Sequence, residues 1–424
     1  MDAQRQSNSP NLAVAPPLSL QTRMVVLTYL AYFFYYFTRK HLGVATHALV
    51  KDGFSEDLIA TVQTGYGVCY AVGQFLSGAL GDRIGPRIGL CVGMILSAIA
   101  SIAFGLFPFA GVLTIALTVN GLFQATGWPN CCKLVTLWVS DAKRGRVMGF
   151  WLTCYIFGSL AANCFAGYVL EHYGWKQVFL FTGITVALVG IVQGLFLIST
   201  PEEAGYSFAD TKPTGDRAEK NSGEGFARMI REPAVLLLGF SYTGLKFVRY
   251  AFFAWLPYYL ATGIGLSDSN SAYVSNGFEV GGVIGLLAGG FVADRFFAQN
   301  RCRLAFIALI GMVLALVAYR GFSVTGGLWG NVAGLMTIGC FLYIADAIIS
   351  GTAAQDIGGE GSAASAAGII NGIGSTAQVF AGFLPIAVKK HWGWDGVFVS
   401  FIALGVLSSL VLLPLALRRK VGRA

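Results

Sequence analysis

Two arginines sit where a chain rarely tolerates charge. Arg39 lies in the apolar stretch "YYFTRKHLGV", residues 35–44, and Arg249 lies in "VRYAFFAWLPYYL", residues 248–260. A guanidinium at the centre of a bilayer costs about 2.5–3.5 kcal/mol on insertion scales, so it normally faces water or a partner. It stays ionised at any working pH, and its planar fork donates paired hydrogen bonds to oxyanions, phosphate above all. Two such groups facing each other could clamp one phosphoryl group. Other charges share these apolar stretches. Lys246 lies three residues before Arg249, on the same helical face. Lys40 follows Arg39 directly, about 100° further around the helix, so an inter-helix or charge-balancing role is expected for it. Glu279 and Asp346 are acids in other apolar runs. Tyr32, Tyr36 and Arg39 recur at helical spacing and form one stripe, which packs in the core or offers phenolic hydrogen bonds.

The elements that must position these side chains are membrane helices. The 424 residues are 55% hydrophobic and 12% charged, with 55 glycines and a mean hydropathy of +0.65. A soluble chain cannot hide that much apolar surface, and abundant glycine suits helices packed closely in lipid. A crossing needs roughly 20 apolar residues. Twelve candidates occur, at 24–46, 59–80, 88–108, 111–139, 147–170 and 176–199, then at 234–261, 272–293, 303–320, 327–353, 362–387 and 395–416. Residues 200–233 between the sets are polar and rich in charge, Gly and Pro, as expected of a linker. Most of the 29 Lys and Arg fall on the side of that linker and the two ends, residues 1–23 and 417–424, so these are expected in the cytoplasm. The net charge of +8 then reflects cytoplasmic loops rather than nucleic-acid binding. The eight cysteines show no metal or disulfide spacing and are expected to be free thiols. Residues 1–20 lack the layout of a cleaved signal.

An internal repeat organises the twelve spans. "GALGDRIGPR", which carries Gly78, Asp82, Arg83 and Arg87, follows the second span; "GGFVADR", which carries Asp294 and Arg295, follows the eighth. Arg39 and Arg249 are separated by nearly the same offset as these motifs, and each lies about fifteen residues, roughly 22 Å, into its helix. "EHYGW" and "KHWGW" also correspond. The expected architecture is therefore all-α: two six-helix halves related by a pseudo-two-fold axis along the membrane normal, with a site near the midplane between them. Arg39 and Arg249 would face each other across it.

The chain resembles the major facilitator superfamily over nearly its whole length, through "GALGDRIGPR". More narrowly, "AYFFYYFTRK", "GLFQATGWPNCCKLVTLWVSDAKRG" and "VRYAFFAWLPYYL" resemble the organophosphate:phosphate antiporters. That resemblance implies an exchanger of a sugar phosphate or glycerol phosphate for inorganic phosphate, without a cofactor, in which Arg39 and Arg249 bind the phosphate. Two bare cations would repel each other in an unloaded site and favour exchange over net flux. The family also has an acid at Glu279, the expected partner of Arg249, and a basic residue near Lys133. Three departures count against glycerol 3-phosphate itself: Gln74 stands where that branch has Lys, Tyr155 where it has His, and Ala254 where it has Asp. Lys246, usually uncharged in the family, is the expected compensation. Gln74, Tyr155, Trp255 and Asn371 would then choose the organic part of the substrate. Asp346, where the family commonly has Pro, either pairs with Lys246 or Lys133 or carries a proton.

No nucleophile–base pair, metal cluster or nucleotide-binding glycine loop stands out, which leaves little room for an enzyme or an ATP-driven pump. Expected partners are a phosphate ester, inorganic phosphate and the lipid bilayer, for a monomer in a bacterial inner membrane. The rival expectations are a membrane sensor of sugar phosphate and a proton-coupled carrier of another organic anion.

Overall fold

Helix follows helix through the described residues, separated by short turns. The structure is a computed structural model and describes residues 15–206 and 228–418. The side chains of 75, 78–83, 141–142, 144–146, 359–361 and 363–364 lie outside what is described, as do residues 207–227 of the expected linker and most of both tails. The first half comprises Leu18–Tyr35 with Phe37–Lys51 (span 1), Glu56–Ile84 (span 2), Pro86–Leu106 (span 3), Ala110–Gln124 with Gly127–Trp138 (span 4), Asp141–Trp151 with Thr153–Tyr173 (span 5) and Trp175–Phe196 (span 6). The second comprises Pro233–Thr262 (span 7), Asp268–Phe296 (span 8) and Arg301–Phe322 (span 9). Spans 10 to 12 run through Gly327–Ala347, the π-helical turn Ile348–Thr352, Ala353–Ser375 and Ala377–Ala416. Span 1 is longer than expected and broken at Tyr36. Spans 2 and 8 begin earlier than their apolar runs because serines cap them: Ser55 accepts from the Leu58 N–H and Ser267 from the Asn270 N–H. Acids follow both caps, Glu56 and Asp57 in one half and Asp268 in the other, where the helix dipole favours them.

Eight of the described helical segments are long and apolar enough to cross a bilayer. Spans 11 and 12 count there as one segment, Ser365–Ala416. Spans 1, 2 and 7 fall short because they carry polar and charged residues, and two of these three hold Arg39 and Arg249. Hydropathy is thus lowest in helices at the junction of the halves.

The repeat appears in the packing. Span 2 packs on span 11, and its counterpart span 8 packs on span 5, while span 7 lies against the second segment of span 1. Each half also has its own core. One gathers Met24, Met94, Trp138 and Trp151; the other gathers Leu238, Met312, Tyr319 and Phe401. The turns within "EHYGW" and "KHWGW" share a conformation too: Gly174 has φ 86° and Gly393 φ 63°. Both combine this positive φ with ψ near 180°, a region essentially reserved for glycine. A Cβ at Gly393 would meet nothing within 4 Å, so the cost of adding one is torsional. Gly393→Ala is expected to destabilise the protein by about 1–3 kcal/mol, read as a lower melting temperature of the purified protein with its helical content retained.

Candidate functional site

Arg39 lies one turn beyond the break in span 1. Its Nε donates to Gln124 Oε1 at 3.1 Å, and Gln124 Nε2 in turn donates to the hydroxyls of Thr38 (2.8 Å) and Ser97 (2.9 Å). This chain of neutral partners fixes the guanidinium without neutralising it. Aromatic rings complete its surroundings, Tyr36 at 4.9 Å, Tyr70 at 5.0 Å and Tyr32 at 5.9 Å, close enough for cation–π attraction. Arg39 Nη2 is buried and has no hydrogen-bond partner among the described residues. Gln124, Ser97 and Tyr70 were not singled out from sequence. The signal for Gln124 was a lone amide inside the apolar "GLFQATG".

Arg249, in the other half, meets a carboxylate. Its Nη1 donates to both oxygens of Asp346, at 3.2 and 3.1 Å, and its guanidinium lies over the rings of Tyr343 (4.7 Å) and Tyr155 (5.7 Å). The Tyr242 hydroxyl also donates to Asp346 Oδ1, at 2.8 Å. Two expectations are corrected here. Arg249 pairs with Asp346 and not with Glu279, and Asp346 takes neither Lys246 nor Lys133. Glu279 is already satisfied: Lys40 Nζ donates to its Oε1 at 3.3 Å, Ser159 to the same oxygen at 2.8 Å and Tyr343 to its Oε2 at 2.7 Å. Lys246 points to span 11, where Asn371 Oδ1 (3.0 Å) and Ser375 Oγ (2.8 Å) accept from it, with the Tyr242 ring 4.6 Å away. The picture of two bare arginines repelling each other is corrected with these, since Asp346 answers Arg249.

Tyr36, Tyr155, Ser159, Arg249, Phe253, Phe278, Glu279 and Tyr343 line one cavity between the halves. The Tyr36 ring that faces it also touches Arg39, so one aromatic group links both guanidinium sites. Around this junction, Arg39, Lys40, Lys246 and Arg249 stand against two carboxylates, Glu279 and Asp346. Lys40 and Glu279 are both buried and cross from one half to the other; the Lys40 ammonium also lies 3.9 Å from the Phe253 ring centre.

Other expected site residues lie elsewhere. The Trp255 indole donates to the carbonyls of Ala381 and Gly382 and is buried between spans 7 and 11, roughly 9 Å along the helix from Arg249. Gln74 donates to the Ala125 carbonyl at 3.3 Å, bracing span 2 on span 4. Tyr32 packs against Trp128 and Trp151 as well as beneath Arg39. Lys133 is half-buried on span 4. Of the loop motif, Arg87 bonds the Gly194 carbonyl at the end of span 6, and Asp294 accepts from Arg301, which also bonds Asp356. Arg295 is exposed. Helical backbone runs through Gly78, Asp82 and Arg83, whose side chains are among those not described.

A second set of polar contacts joins the halves on the side away from the chain termini. His47 pairs with Asp268, Glu56 with Tyr258 and Lys389, and Asp57 with Lys390, while Asn163 donates to Asn276 at 2.9 Å. His47 and Tyr258 lie beyond Arg39 and Arg249 along spans 1 and 7. The halves are therefore tied together at one end of the molecule.

A family model described as Major Facilitator Superfamily matches residues 28–382. Among curated relatives, Sugar phosphate exchanger 3 of Homo sapiens is 30% identical over 85% of this chain and 80% of its own length. The Putative glycerol-3-phosphate transporter 5 of Arabidopsis thaliana is 30% identical over 82% and 78%. A Probable hexose phosphate transport protein of Chlamydia muridarum is 25% identical over 97% and 94%. In fold, the chain is similar to a bacterial homolog of the human lysosomal transporter Spinster, with a TM-score of 0.81 at 15% identity, covering 96% of this chain and all of that one.

The Lys40–Glu279 pair is testable by itself. Removing one member of a buried pair strands the other charge, at a cost of about 3–5 kcal/mol. Glu279→Gln should lower the melting temperature sharply, and Lys40→Met added to it should recover most of the loss.

Proposed function

The chain belongs to the Major Facilitator Superfamily, and we propose that this protein exchanges an organic phosphate ester, a sugar phosphate or a related three-carbon phosphate, for inorganic phosphate by alternating access. The observation that carries this is one guanidinium from each half, with Tyr36 bridging Arg39 to the cavity that Arg249 lines. The relatives named as sugar phosphate, hexose phosphate and glycerol-3-phosphate transporters support the same substrate class.

Arg39 and Arg249 hold the phosphoryl group in this scheme. Arg39 offers the unpartnered Nη2, and Arg249 offers its guanidinium from the other half. Lys246 adds a third cation one turn from Arg249. Tyr36 and Tyr155 border the organic portion, and Asn371 acts through Lys246. An anion bridging the halves draws them together at the termini's side, and the contacts at the far side then part as the halves rock. Residues 1–23, 200–233 and 417–424 lie in the cytoplasm, the bundles 24–199 and 234–416 span the membrane, and the far side with Glu56, Asp268 and Lys389 opens outward. The protein works as a monomer in the inner membrane of a bacterium.

The test is counterflow. Proteoliposomes loaded with inorganic phosphate should take up labelled phosphate or a phosphate ester, and unlabelled ester outside should compete. Uptake that ignores internal phosphate and follows a pH gradient would replace this function with proton coupling; no flux of phosphate or any ester would remove it. Arg39→Ala and Arg249→Ala should each reduce exchange at least 100-fold, since each leaves the phosphoryl group held from one half only. Lys246→Ala should weaken apparent affinity about tenfold with the maximal rate less affected; unchanged affinity would exclude Lys246 from the site.

A further inference from the structure

We propose that Asp346 is a built-in rival of the transported anion: its carboxylate holds Arg249 whenever no phosphoryl group does, and the site loads by displacing it. This rests on the transport function proposed above and goes beyond it, because it sets how tightly the protein binds and how readily it lets go.

The halves are repeats, yet their arginines are answered differently. Arg39 bonds a neutral amide, and its Nη2 has no described partner. Arg249 bonds both oxygens of Asp346. The architecture makes the two positions equivalent, so one residue of span 10 creates the difference. To a guanidinium, a carboxylate and a phosphoryl group are alternative acceptors of the same kind, each offering two oxygens to the same fork. Arg249 lines the cavity and keeps 22% of its side chain exposed, and Asp346 behind it keeps 11%. An incoming anion can therefore reach the bond.

Asp346 has somewhere to go. The Tyr242 hydroxyl already donates to its Oδ1 and keeps that bond when Arg249 leaves. Lys246 lies on the same face as Arg249 and bonds the neutral acceptors Asn371 and Ser375, so its charge can answer the displaced carboxylate. Glu279, the other carboxylate here, is held by Lys40, Ser159 and Tyr343 and does not compete. The turn after Asp346, Ile348–Thr352, is π-helical, and Ser350 bonds the Asp346 carbonyl. Such wide turns recur at functional positions and break the regular ladder locally.

Apparent affinity then reports a difference between two anions' hold on one cation. A carrier must release as well as bind, and an internal rival speeds release. Full-length protein in nanodiscs, titrated with inorganic phosphate by calorimetry, tests this alongside counterflow in proteoliposomes. Asp346→Asn should bind phosphate at least tenfold more tightly and exchange it more slowly. Tyr242→Phe keeps the carboxylate but removes its fallback, and should bind phosphate several-fold more weakly. Asp346→Asn protein with an unchanged melting temperature and equal or weaker phosphate affinity would overturn the proposal, because Asp346 would then be an anchor that aims Arg249. If Asp346→Asn does not fold, Tyr242→Phe binding as tightly as wild type overturns it instead. Wild-type protein that neither binds phosphate nor exchanges it overturns the transport function and this proposal together; wild-type exchange with no effect of either substitution overturns this proposal alone.

Discussion

A charge held inside a bilayer has to be answered by an opposite charge, by hydrogen bonds or by a ligand, since lipid offers nothing in their place. Each central cation here meets that demand in its own way. Lys40 finds a carboxylate in the other half. Arg249 finds one within its own half. Lys246 finds two neutral oxygens, and Arg39 finds an amide and three tyrosine rings. These choices decide which helices must touch. Span 8 is drawn to span 1 by Glu279, span 10 to span 7 by Asp346, and span 11 to span 7 by Asn371 and Ser375.

The same demand separates structure from function at this junction. A fully answered pair such as Lys40–Glu279 ties the halves together and leaves little affinity for a ligand. A cation answered only by neutral groups keeps most of its field. Arg39 and Lys246 are of this second kind and come from different halves. The four cations and two carboxylates leave an excess of positive charge, which suits a doubly charged phosphate ester. Rigidity around the excess comes from neutral networks. Gln124, Thr38 and Ser97 hold one another by hydrogen bonds that cost no charge.

Closure at one end follows from another set of pairs. Glu56, Asp57 and Asp268 sit in the first turns of spans 2 and 8, where capped helix ends favour acids, and they meet Lys389, Lys390 and His47 across the junction. Such exposed and half-exposed pairs are individually weak. Contacts that must form and break in each cycle are well made from them, whereas the buried Lys40–Glu279 bond is much harder to open.

The sequence by itself determined the twelve spans, the two repeated halves and the equivalence of Arg39 and Arg249 within the repeat. These are one-dimensional properties: apolar length sets a crossing, and a fixed offset sets an equivalence. The three helices that fall short on mean hydropathy were still legible as apolar runs of about 20 residues, 24–46, 59–80 and 234–261. Resemblance in three short stretches points to a phosphate ester without any geometry. Only the tertiary structure decided who pairs with whom. Glu279 was a fair partner for Arg249 by span and charge, yet helix rotation turned it to Lys40; Asp346 was a fair one for Lys246, yet it meets Arg249, which lies on the same face one turn further along span 7. Trp255 went into helix packing for the same reason. Spacing gives the face a residue occupies on its own helix, but not the rotation of the neighbouring helix, and a difference of one face decides which cation a buried carboxylate can reach.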